Sequence, residues 1–288
     1  MHKLALHQIT MMDGGPEGLV RFAAKAGLDR ACLFTATPTD ENGRNMFPIV
    51  GAAKVKSFQD LLRQHDVRVI NAEYFPVMNG QDVSQYLPAI ASAAELGAKR
   101  LVTHIHETSR QRAEDQLFDL CEMANDNGLE VGLEFTGFAH GCNSLNAAVA
   151  LHDRMNKSNL KIAIDALHLF RTGGTLDHLK AVDPAIIGYV QLCDGPDFRR
   201  SDDYVPEAMN RMIPGEGVFP LKELVSLLEP HVDIDIEVPN FEIVAEDERK
   251  SWASRAIAAS QSQFDKAGTS VDGAGKGTSD KSSQSLTD

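Results

Sequence analysis

Residues 161–170 read KIAIDALHLF. The first five form a short apolar run of the kind that makes a buried strand, yet the run closes on Asp165, and His168 follows three positions later. Successive side chains of a strand point to opposite faces, so Ile162 and Ile164 share one face while Ala163 and Asp165 share the other. A buried carboxylate is costly unless something compensates it. The segment therefore predicts a strand with one apolar face and one face that carries chemistry at its C-terminal end.

Runs of the same kind recur along the chain. They are LALHQI (4–9), ACLF (31–34), RVINAEY (68–74), RLVTHI (100–105), EVGLEF (130–135), KIAID (161–165), IGYVQL (187–192) and DIDIEV (233–238). Their spacing is mostly that of a strand plus a helix. Helical patterns lie between them: PEGLVRFAAKAG opens on Pro16 and stops at Gly27, VSQYLPAIASAAELG stops at Gly97, and SRQRAEDQLFDLCEMANDNG stops at Gly128. Eight such units predict an α/β fold, a (β/α)8 TIM barrel over residues 1–265. The rival, an open doubly wound sheet, announces itself with a phosphate loop after the first strand, and HQITMMDGGPEG contains no GxGxxG. Residues 266–288, KAGTSVDGAGKGTSDKSSQSLTD, hold too little apolar surface to offset their ordering entropy and are expected to form a disordered tail.

The 288 residues carry a net charge of −13, which repels phosphate backbones and anionic lipid surfaces and argues against nucleic acid or a membrane as partner. No stretch approaches the roughly 20 apolar residues of a spanning helix, and the apolar run in MHKLALHQIT is too short for a secretory signal. Four cysteines without CxxC pairing or zinc-ligand spacing point to free thiols and a cytoplasmic location.

In a barrel the catalytic groups sit on inward-facing positions at the C-terminal ends of strands. Strand parity places Glu134, Asp165, Gln191 and Glu237 there, one on each of the last four strands. Any one of them read alone could be a loop or cap acceptor, and Gln191 could simply hydrogen-bond its neighbours. Together, three adjacent carboxylates would repel one another and lose hydration, so a multivalent cation is the simplest compensation. An all-oxygen set suits Mg²⁺ or Mn²⁺, with Co²⁺ as a further candidate, and disfavours Zn²⁺. His168 reads equally as a core histidine, a supporting group or a general acid/base.

The set LEF with Glu134, IDALH with Asp165 and His168, VQLCDG with Gln191 and Asp194, PGEG at 214–217 and IDIEV with Glu237 resembles the xylose isomerase-like TIM barrel superfamily of sugar isomerases, epimerases and lyases. The resemblance covers residues 1 to about 262. It implies one divalent ion held by the last four strands and places His168 beside the substrate. Most members have His where this chain has Gln191. In that respect the chain resembles the bacterial 3-dehydroshikimate dehydratase branch, whose ion is held by Glu, Asp, Gln and Glu.

The expected substrate is a small polyhydroxylated carbonyl compound that a Lewis-acidic ion polarises toward an enolate. His168 is the expected proton-transfer group, with His104 as a second candidate. A carboxylated substrate would need a cation, and Arg199, Arg200 or Arg211 in the long loop after the seventh strand could supply it, although Asp202 and Asp203 could equally neutralise that loop. Three readings follow: a dehydratase acting on 3-dehydroshikimate, a sugar or keto-sugar epimerase or isomerase, and a barrel that serves as a non-catalytic subunit. A DNA-repair nuclease is disfavoured by the acidic charge and too few histidines for a three-zinc cluster. Homo-oligomerisation is left open.

Overall fold

Eight parallel strands close on themselves in sequence order in the computed structural model, which describes residues 3–39 and 41–264. They are β1 (Leu4–His7), β2 (Arg30–Phe34), β3 (Arg68–Glu73), β4 (Arg100–Thr103), β5 (Glu130–Glu134), β6 (Leu160–Asp165), β7 (Ile187–Leu192) and β8 (Asp233–Ile236), with β8 paired back to β1 through Ala5 and Asp235. The helices are α1 (Gly15–Lys25), α2 (Val55–His65), α3 (Leu87–Glu95), α4 (Arg110–Asp126), α5 (Leu145–Met155), α6 (Ala166–Arg171), α7 (Leu176–Lys180), α8 (Tyr204–Ala208), α9 (Leu221–Ser226) and α10 (Glu246–Ser262). Gly27, Gly97 and Gly128, the predicted stops, follow α1, α3 and α4 with positive φ, the conformation that ends a helix. The barrel is thus the fold that the spacing predicts; the tail at 266–288 lies outside the described residues.

Parity also holds. Val131, Leu133, Ile162, Ile164, Val190, Leu192, Ile234 and Ile236 join one continuous core between strands and helices. The inward positions form two small separate clusters, Ala5 with Cys32 and Ile70, and Val102 with Ala163 and Tyr189. Several strands stop short of their apolar runs, β1, β4 and β8 by two residues. β1 and β8 end at His7 and Ile236 because Thr10 steps into the ladder: its Oγ1 donates to the Ile236 carbonyl (2.9 Å) and accepts from the Val238 amide (2.7 Å). No helix among the described residues is long and apolar enough to cross a membrane. The four cysteines are buried and unpaired, as expected.

The N-terminal end of the barrel is closed by charge. Arg100, fully buried at the start of β4, donates to Asn71 (2.9 Å) and Asp233 (3.3 Å) and lies 5.3 Å from the Tyr189 ring centroid. Asp233 also receives Arg30 and Lys99. Gly132 on β5 is required just above, since a Cβ there would fall 2.8 Å from Cε1 of Tyr189. This plug leaves the opposite end as the one that can hold a ligand. Asp233→Asn should leave the buried Arg100 with Glu130 (3.4 Å) as its remaining carboxylate partner and lower stability by about 1–3 kcal/mol, read as a shift of the urea unfolding midpoint.

Candidate metal centre

β5 to β8 end side by side, and their last inward side chains meet. Glu134 and Asp165 are the final residues of β5 and β6, Gln191 pairs directly with Asp165 across β6 and β7, and Glu237 lies one residue beyond β8. All four are buried. Asp165 has two tasks. Its Oδ1 caps α6 by accepting from the His168 amide (3.0 Å), which accounts for the spacing in IDALH, and its Oδ2 accepts from Arg211 Nη1 (2.5 Å).

Arg211 is itself buried and held from several sides. Its Nη2 lies 3.4 Å from Glu237 Oε1, Nη1 donates to the Glu237 carbonyl (3.3 Å), and Nε donates to the Ala208 carbonyl (2.9 Å). Burial pushes Glu134 and Glu237 up to about 8, with neighbouring carboxylates adding to the effect and Arg211 opposing it. Burial acts the same way on Asp165, but Arg211, His168 and the amide bond outweigh it and hold this carboxyl below the usual range. One carboxylate is thus matched by the guanidinium, and the other two retain protons near neutrality.

The donor set fits a divalent ion. Gln191 Oε1 and Glu237 Oε2 are buried without a hydrogen-bond partner, an arrangement that folded proteins rarely leave uncompensated. Ligand atoms of Glu134, Asp165 and His168 lie within 4.8 Å of one another.

The two expected proton-transfer groups stand at this centre. His104 Nε2 is 3.1 Å from Glu134 Oε2, and His168 Nε2 is 3.7 Å from Glu134 Oε1. His168 Nδ1 is bonded to the Tyr204 hydroxyl at 2.5 Å, and Phe138 packs edge-on against the same ring. Burial pulls both histidines down to about 3, so each is neutral around pH 7.

A cavity of about 460 Å³ opens over these groups. Of the three arginines predicted to meet a carboxylated substrate, Arg211 lines it. Arg200 and Arg199 do not. Arg200 donates to the Gly137 carbonyl (2.8 Å) and lies over the Tyr204 ring, and the Arg199 carbonyl is taken by Arg171. The loop that carries them is tied down by Asp194, which accepts from the amides of Gly195, Gly215 and Phe219 at 2.8–3.0 Å.

His7 and Glu73, not singled out from the sequence, also reach the cavity, from β1 and β3, with His7 Nε2 3.4 Å from Glu73 Oε1. With Asp235 they form a second buried group of ligand-type side chains. Nδ1 of His7 accepts from the Ile9 amide (3.2 Å), which leaves the proton of a neutral ring on Nε2, facing Glu73. Glu73 Oε1 and both carboxylate oxygens of Asp235 are buried without a hydrogen-bond partner. The rule that found Glu134 would have found both: His7 and Glu73 sit on the inward parity at strand ends.

The model of the xylose isomerase-like TIM barrel family matches residues 20–262. This chain belongs to that family. An inosose isomerase of Bacillus subtilis is 25% identical over 126 residues, which span 43% of this chain and 44% of that protein, less than half of either. Among solved structures, the IolI protein with a bound zinc atom superposes with a TM-score of 0.74 at 18% identity, covering 91% of this chain and 99% of that one. A D-psicose 3-epimerase in the presence of D-fructose gives 0.68 at 14% identity, over 90% and 98%. The probable 3-dehydroshikimate dehydratase AsbF of Bacillus anthracis gives 0.68 at 17%, over 87% and 97%. At these identities the superpositions speak for the fold. The proteins this chain resembles include an inosose isomerase, a D-psicose 3-epimerase and a probable dehydratase.

Because Glu134 and Glu237 hold protons below about 8, an ion must displace them to bind. The apparent Mn²⁺ affinity should rise with pH and level off above about 8, losing roughly tenfold per pH unit for each proton displaced as the pH falls toward 6. Calorimetry in buffers of different ionisation enthalpy should show that proton release; a pH-independent affinity without it would contradict the assignment.

Proposed function

We propose that this chain is a divalent-metal-dependent enzyme that removes a proton beside the carbonyl of a cyclic hydroxy-ketone. The observation that carries the reading is the buried convergence of Glu134, Asp165, Gln191 and Glu237, with oxygens of Gln191 and Glu237 lacking any donor. These four side chains would hold Mg²⁺ or Mn²⁺, with Co²⁺ as an alternative. When bound, such an ion supplies Lewis acidity toward the substrate carbonyl and favours the enolate.

The protein's own groups handle the protons. His168 is neutral, and its Nε2 stands 3.7 Å from Glu134 Oε1 while Nδ1 bonds a phenol that either donates or accepts. The ring can therefore carry its proton on either nitrogen, as a group that first takes and later returns a proton must. His104, against the opposite oxygen of Glu134, orients that carboxylate. The α-carbon proton passes to His168, its electron pair becomes the enolate, and the enolate collapses with departure of a β-hydroxyl, which leaves as water once protonated. With 3-dehydroshikimate, a second proton loss gives the aromatic protocatechuate; Gln191 in place of the family's usual His is what favours this substrate.

A second reading, epimerisation or isomerisation of an uncharged keto-sugar, is favoured by a different observation. Arg211 is the one cation lining the cavity among the described residues, and Asp165 and Glu237 already engage it, so no free cation awaits a substrate carboxylate.

EDTA should abolish turnover and Mg²⁺, Mn²⁺ or Co²⁺ should restore it, while Glu237→Gln should weaken metal binding strongly. His168→Ala should lower kcat by roughly 10²–10⁴-fold with metal affinity changed only a few-fold. Incubation with 3-dehydroshikimate and Mn²⁺ should give the ultraviolet absorbance of a catechol acid. No catechol, together with α-proton exchange in a ketohexose, an inosose or a 3-keto-glycoside, would select the second reading, and full activity of metal-free protein would sink both.

A further inference from the structure

The cavity is lined by apolar as well as polar groups. The Phe34 and Phe47 rings stack at 4.7 Å with 17° between planes, and Phe241 stands 6.4 Å from Phe47. Phe34 is buried at the end of β2 and meets His7 edge-on at 5.9 Å, so the aromatic wall begins beside the polar groups and runs outward to the rim. Met46, Val205 and Met209 continue it. Met46, Val205 and Phe241 are 60%, 51% and 42% exposed. They come from the segments after β2, β7 and β8, yet all three face one opening.

Scattered exposed apolar side chains need no explanation, but three that converge from separate loops on one cavity do. A small polyol at the carboxylates would leave them in water. An anionic substituent is disfavoured. Arg211 is the one cation lining the cavity among the described residues and is engaged, Glu73, Glu134 and Glu237 line it as well, and the chain is acidic overall. Stacked phenylalanines flanked by methionines are suited to another ring.

We infer that this wall is a subsite for an uncharged aromatic substituent, so that the substrate is a cyclic polyhydroxylated ketone bearing an aryl group. The ketone end of that statement rests on the second reading above, an uncharged keto-sugar; the aryl subsite does not.

Two unreactive probes separate these claims. Calorimetry with Mn²⁺-loaded protein should show phenyl β-D-glucopyranoside binding at least roughly tenfold more tightly than methyl β-D-glucopyranoside. Phe47→Ala, at the half-buried rim, should reduce that ratio to roughly threefold or less without altering affinity for the methyl glycoside, and Phe241→Ala should act in the same direction. Equal affinities, undetectable binding of the phenyl glycoside, or a ratio unchanged in both variants would overturn the subsite. So would sedimentation showing a stable assembly of the wild-type chain that Phe241→Ala dissociates, since another copy would then be what covers the wall. If the phenyl preference holds while no ketone exchanges a proton under any metal condition, the subsite stands and the proposed reaction falls.

Discussion

Glu134, Asp165 and Glu237 are buried side by side, and their mutual repulsion sets the terms for the upper half of the barrel. At an effective dielectric constant near 20, two unit charges 4 Å apart interact by about 4 kcal/mol, so three carboxylates cannot all ionise in such a place without help. Arg211 neutralises one, and protons held up to about pH 8 neutralise Glu134 and Glu237. This balance is provisional in a chemical sense: two displaceable protons beside unpaired oxygens form a site poised to exchange them for a divalent cation.

The position of Arg211 depends on the loop that carries it. Asp194 and Met212 exchange backbone hydrogen bonds, Arg211 donates its amide to the Pro239 carbonyl, and the Asp194 carboxylate gathers three amides of the same loop. A long excursion after β7 is thereby stitched to the ends of β7 and β8. At the other end, Arg100 and Asp233 use charge to close the barrel. The same residue types stabilise one end and leave the other chemically unsettled, the division expected of this architecture.

Much of this was legible in the chain. The alternation in KIAID and DIDIEV placed Asp165 and Glu237 inward because a strand's period of two leaves no other choice once Ile162, Ile164, Ile234 and Ile236 are given to the outer core. Asp165 to His168 was legible as a spacing, and its cause is the cap of α6. His7 and Glu73 obey the same parity, but β1 meets the carboxylates of β8 only when the barrel closes, and the strands on either side of β3 carry no carboxylate. Tyr204, Phe47, Phe241 and the choice of Arg211 among the three arginines of its loop were beyond reach for a different reason. They sit on loops and short helices where periodicity is silent, and the path of the backbone decides which of Arg199, Arg200 and Arg211 turns inward. Thr10 closing the ladder between β1 and β8 is a contact across 226 positions that no local pattern announces.

The central claim, that the four strand-end side chains share one ion, is tested most directly by anomalous scattering from crystals equilibrated with Mn²⁺. The account predicts a single strong manganese peak with oxygens of Glu134, Asp165, Gln191 and Glu237 at roughly 2.0–2.4 Å, and Arg211 drawn back from Asp165 Oδ2. An absence of density there, with Arg211 still bridging Asp165 and Glu237 in the presence of saturating Mn²⁺, would contradict it.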